Sequence, residues 1–84
     1  MADVVTREGV YTVRKRSNGR AYVPYSVEIQ NRDLMFIYER LSNRDVSVRT
    51  IIKFAPDWNR EETVDARYLQ QRNPRVYSIL FPSG

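Results

Sequence analysis

The sequence contains no cysteine, and that absence limits how the chain can hold a fold. A chain of 84 residues buries only about 60–65 % of the surface its unfolded form exposes. Disulfide staples are excluded. Histidine is absent too, so the usual structural zinc site is also excluded. Stability must come from one apolar core. Hydrophobic residues at 42 % and charged residues at 29 % suit a single globular domain and argue against disorder. No apolar run approaches the roughly 20 residues of a membrane span. The N-terminus lacks the charged start and apolar run of a secretory signal. A cytoplasmic, intracellular setting with no membrane partner is the expectation.

The same absences narrow the chemistry. Without Cys and His there is no thiol nucleophile, and the commonest general base is missing. Tyr, Arg, Lys, carboxylates or a hard metal ion remain. No Gly-rich phosphate loop or nucleotide fingerprint stands in the chain. The formal net charge is +4, and among the 14 basic residues only Lys15 and Lys53 are lysines. Arginine's planar fork suits phosphates and carboxylates and stacks on flat rings. One reading is a polyanion-binding surface; the other is a compositional preference for Arg on a solvated face.

Residues 1–8 carry no period and read as a loose tail, with a single domain over 9–84. Val10, Tyr11, Thr12 and Val13 are strand formers. Asn18-Gly19 is a strong hairpin signal, and Ala21 to about Tyr25 reads as the return strand. Pro24 has no N–H to donate and belongs at an edge or where a ladder ends. With Asn18-Gly19 as a two-residue loop, Lys15 faces Tyr22, Val13 faces Pro24 and Tyr11 faces Ser26. Tyr11, Val13, Lys15 and Tyr22 then share one face.

Leu34, Ile37, Tyr38 and Leu41 stand at i, i+3, i+4 and i+7, which favours a helix over 34–41. Met35 and Phe36 blur the stripe and keep a strand as the alternative. Asn-Arg-Asp occurs at 31–33 and again at 43–45, bracketing that element. Val46, Val48, Thr50, Ile52 and Phe54 alternate with Ser47, Arg49, Ile51 and Lys53, a half-buried strand from Asp45 to Phe54. Asn59-Arg60-Glu61-Glu62 has the form of a capping box and opens a helix running to about Gln71. Trp58 then reads as a staple across its start. Asn73-Pro74 stops that helix, and Arg75 to Phe81 reads as a last strand. The expected fold is α+β: a small, largely antiparallel sheet with two helices, in the order β-β-α-β-α-β.

The first candidate site is the hairpin tip. Arg14, Lys15, Arg16 and Arg20 crowd it with positive charge, and Tyr22 and Tyr25 lie close in sequence. A basic two-stranded ribbon fits a major groove or straddles a phosphate backbone, and nearby tyrosines stack on unpaired bases. A solvated turn is the plainer alternative.

The second candidate is a resemblance. Gly9-Val10-Tyr11 followed after ten residues by Tyr22-Val23, with Asn18-Gly19-Arg20-Ala21 leading into the second Tyr, resembles the opening hairpin of the GIY-YIG nuclease family. Arg32 stands where that family has a first-helix Arg. Asp65, Tyr68, Asn73 and Pro74 follow its later layout, with Asp65 in the place of its usual Glu. The resemblance spans residues 9–74 and implies Mg²⁺-assisted phosphodiester hydrolysis. It casts Asp65 as the metal ligand, Tyr11 and Tyr22 as helpers in deprotonating the attacking water, and Arg32 as the neutraliser of phosphoryl charge.

Three functions are therefore weighed. The first is a small nucleic-acid-binding domain, as a binding-only relative of that family. The second is a regulator or inhibitor of the phage or mobile-element type that binds an acidic protein partner. The third is an active metal-dependent nuclease, with Mg²⁺ as its only implied cofactor. Tyr77 and Phe81 on an exposed last strand would offer an edge for strand addition or a homodimer.

Overall fold

A computed structural model describes residues 3–18, 21–41 and 43–82, with the backbone alone at 3–5, 16–18 and 21–24. Six strands come first: β1 (Asp3–Thr6), β2 (Gly9–Asn18), β3 (Ala21–Gln30), β4 (Leu34–Arg40), β5 (Asp45–Ile52) and β6 (Asn59–Asp65). Two short helices close the chain, α1 (Ala66–Arg72) and α2 (Pro74–Leu80). The strands form one antiparallel sheet in sequence order, β1-β2-β3-β4-β5-β6. The α+β class stands, but the order β-β-α-β-α-β does not, because every strand precedes both helices.

Each departure has a local cause. The expected helix over 34–41 is strand β4. Its apolar run fills both sides of a pleat, with Phe36 and Tyr38 on one face and Met35 and Ile37 on the other, so helical spacing arises by coincidence. The two Asn-Arg-Asp repeats mark the ends of β4 by making the same turn twice. Asn31 Oδ1 accepts from the Asp33 N–H at 3.0 Å and Asn43 Oδ1 from the Asp45 N–H at 3.1 Å; both are Asx turns. Asn59-Arg60-Glu61-Glu62 caps no helix and opens β6, which pairs with β5 from Ile51↔Asn59 to Asp45↔Asp65. The working N-cap is Asp65, whose Oδ1 accepts from the Tyr68 N–H at 2.7 Å.

The stretch expected as a strand over 75–81 is helical through Leu80, with Phe81 as the C-cap of α2. Asn73 ends α1 through its backbone N–H on the Leu69 carbonyl (2.7 Å) and starts α2 through its side chain on the Val76 N–H (3.2 Å). Pro74 sits in the first turn of α2, where its missing N–H costs nothing. The expected loose tail contains β1, which pairs with β2 from Asp3↔Thr12 to Thr6↔Gly9. Gly9 allows this hairpin with φ +138°; a Cβ there would lie 2.5 Å from the Gln30 carbonyl oxygen.

The sheet has two unlike faces. Tyr11, Val27, Ile29, Phe36, Tyr38, Val46, Val48 and Val64 share the face on which Leu69, Val76, Tyr77, Leu80 and Phe81 of the helical layer pack. Phe81 closes this core, lying 5.1 Å from the Tyr77 ring and beneath the guanidinium groups of Arg40 and Arg44. Arg40 also donates to the Leu80 carbonyl at 2.9 Å. The other face bears Val10, Thr12, Glu28, Met35, Ile37, Arg49, Ile51 and Glu61, and among the described residues no helix covers it. The helices reach only part of the first face, so burial along β5 fades from Val46 toward its far end. Phe54, expected inside, is 81 % exposed, and Trp58, expected as a staple, is 76 % exposed.

Candidate nucleic-acid interface

The β2–β3 hairpin outgrows the sheet. β1 pairs with β2 only at positions 9–12, and β4 pairs with β3 only at positions 26–30. Among the described residues, backbone 15–18 and 21–24 is thus paired only with itself, a two-stranded arm of about 14 Å at ~3.4 Å per residue. Arg14↔Ser26 and Lys15↔Pro24 flank a register shift, with Tyr25 as the extra residue. This bulge bends the arm's base, and Pro24 falls beside it, where the ladder is already broken. The register differs from the one the sequence suggests: Asn18 pairs with Ala21, and Ser17 rather than Lys15 pairs with Tyr22. Tyr11 accordingly faces Ile29 instead of Ser26, and Val13 faces Val27 instead of Pro24.

The expected nucleic-acid contacts map onto this arm and its base. Arg14 and Lys15 are exposed. Arg14 Nε lies 3.5 Å from Glu28 Oε1, so part of its charge is balanced. Tyr25 is half-buried at the bulge. The Arg16 and Tyr22 backbones lie in the arm, while their side chains, like Gly19 and Arg20, lie outside the described residues. Residues 15–25 include Lys15, Arg16 and Arg20 and no carboxylate.

The residues that the nuclease resemblance would unite stand apart. Tyr11 is 1 % exposed. Its hydroxyl donates to Glu8 Oε1 at 2.6 Å, and burial and the Glu8 carboxylate, opposed by Asn73 and Arg75, push its pKa to about 12. Such a phenol is held away from solvent in the folded chain. Tyr22 pairs with Ser17, six positions along β2 from Tyr11, roughly 20 Å at strand spacing. Arg32 lies in the β3–β4 turn and not on a helix, lining a groove of about 490 Å³ with Lys53, Thr12 and Gln30. Asp65 lies at the other end of the sheet, where its carboxylate caps α1. Among the described residues no group of three or more metal-binding side chains occurs. The aromatic edge imagined for strand addition is also gone, because Tyr77 and Phe81 are buried on and just after α2.

One basic surface escaped the sequence reading. Residues 66–82 carry Arg67, Arg72 and Arg75 and no Asp or Glu, and all three arginines are exposed on the helical layer. Arg72 lies over the Tyr68 ring and Arg75 over Tyr11, each 5.7 Å from the ring centroid. The signal was present as a carboxylate-free segment, but 75–81 read as a strand would have placed Arg75 elsewhere. No family model, curated protein or solved structure matches the chain. No helix among the described residues is long and apolar enough to cross a membrane.

Proposed function

We propose that the protein is a small nucleic-acid-binding module whose contact element is the β2–β3 arm. The observation that carries this reading is the register: among the described residues, positions 15–18 and 21–24 pair only with each other, in a stretch with three cations and no carboxylate. A narrow ribbon clear of the sheet can enter a major groove or lie across a phosphate backbone. The stretch 15–25 has no carboxylate of its own to balance its cations, unlike the sheet, where Arg14–Glu28 and Arg49–Glu61 are neighbours. The arm positions, and phosphates supply most of the affinity. The reading requires no catalysis and no metal.

The test is fluorescence anisotropy of a labelled duplex, its single strand and an RNA hairpin, each at two salt concentrations. Neutralising three to four phosphates should weaken binding about 40- to 150-fold between roughly 50 and 200 mM salt. Lys15→Glu with Arg16→Glu should abolish most of the affinity and flatten the slope, while Lys53→Glu, at the opposite end of the sheet, should have a much smaller effect. Equal loss from Lys53→Glu would move the interface off the arm, and no binding at low salt would end the nucleic-acid reading. Gel analysis of the probes with Mg²⁺ present separates binding from cleavage.

A further inference from the structure

On the uncovered face of the sheet, a two-fold rotation about β4 exchanges two positions of opposite charge, Glu28 and Arg49. The middle row of this face reads Thr12, Glu28, Ile37, Arg49 and Glu61 across β2 to β6. The row nearer the Arg32 turn reads Val10, Gln30, Met35, Ile51 and Asn59. Apolar Met35 and Ile37 stand on the central strand, half-buried, with Val10 and Ile51 to the sides. Glu28 and Arg49 flank Ile37 on either side with opposite charge. Each already has an in-plane neighbour, at 3.5 Å for Glu28 and 3.9 Å for Arg49, and the Arg49 side chain remains about half exposed.

We infer that this face docks a second copy of the same chain, the two sheets stacking about a two-fold axis that runs along β4. That rotation lays β3 of one copy over β5 of the other. Glu28 then meets Arg49 of the second copy, and Arg49 meets its Glu28. Met35 meets Met35 and Ile37 meets Ile37 on the axis, flanked by Ile51 against Gln30 and Val10 against Asn59, while on the next row toward the arm exposed Glu39 meets Glu39 at the rim, a like-charge contact that weakens the pair. This is the isologous, self-complementary arrangement of a closed dimer. Five strands ~4.8 Å apart and three rows of side chains give roughly 500 Å² of projected face per copy, below the ~800 Å² per partner of a standard interface. The dimer is therefore weak and reversible.

Sedimentation equilibrium of the full chain over about 1 to 500 µM tests the inference, a range that brackets micromolar association. A concentration-dependent monomer–dimer equilibrium is expected. Glu28→Arg and Arg49→Glu should each be monomeric at the same concentrations, with unchanged far-ultraviolet circular dichroism. Their equimolar mixture should dimerise again, since the side chains at positions 28 and 49 of the two variants then meet with opposite charge across the axis. Both variants stay net positive, so general attraction between them cannot mimic that recovery. A wild-type chain that is monomeric throughout would overturn the inference. So would single variants that still self-associate, or a mixture that stays monomeric.

Discussion

Tyr11 shows how one residue serves the fold where the sequence suggested chemistry. It is fully buried, bonded to Glu8 in the β1–β2 turn and covered by Arg75 of α2, so it joins the first hairpin to the last helix. Its pKa rises to about 12, mainly through burial, and burial raises Tyr38 in the same direction. Tyrosine in the unfolded chain titrates near 10. Below pH 10 both states keep the proton and the stabilisation is complete. Between about 10 and 12 only the unfolded state releases it, and stability falls by up to ~2.7 kcal/mol from Tyr11 alone. Tyr11→Phe loses a hydrogen bond worth about 1 kcal/mol near neutrality but has nothing to titrate. Urea midpoints should therefore show the variant less stable at pH 8, with the gap closing or reversing near pH 11.5. A gap constant across that range would mean the phenol is solvated in the folded state.

At the scale of elements, Asn73 is the position on which the helical layer turns, since it closes α1 and opens α2. Asn73→Ala should cost about 1–2 kcal/mol, and Asn73→Asp or Asn73→Ser should recover most of it, because each keeps an N-cap acceptor; urea denaturation reads the difference. The junction also shows why the sequence was only partly legible. Asn-Pro was visible as a helix stop, which it is for α1, but the same pair also starts a helix, and β-formers such as Val76, Tyr77 and Ile79 hid that. The hairpin over 9–25 and the strand from Asp45 were readable as elements because alternation acts locally, but the hairpin's register is not the one that Asn18-Gly19 suggested. β4 and β6 were not. β4 is apolar on both faces, which erases the alternation, and β6 is an edge strand whose Arg60, Glu61 and Glu62 resemble a helix start. Those charges are what an exposed edge needs to resist further pairing. Of the candidate site, the cations of the arm were legible as composition. That the described positions 15–18 and 21–24 pair with no other described strand was not, because it depends on where β1 and β4 stop.

For the whole molecule, the arm and the open face combine into a geometric consequence. A two-fold axis along the strands leaves both arms of a stacked pair pointing out of the same end. Each arm lies about one and a half strands from β4, and the sheets lie ~10 Å apart, so the arms emerge roughly 17 Å from one another. On the proposed function, two weak contacts so placed would act on one nucleic acid together, and the second would benefit from a raised effective concentration. Charge alone and pairing alone then predict opposite signs for one variant. Glu28→Arg makes the chain more basic, which by itself strengthens phosphate binding. It also breaks the pair and leaves a single arm. At protein concentrations where the wild type is dimeric, Glu28→Arg should bind a labelled duplex at least tenfold more weakly despite its extra positive charge. Adding an equal amount of Arg49→Glu should restore much of the affinity. Tighter binding by Glu28→Arg would show that each arm works alone.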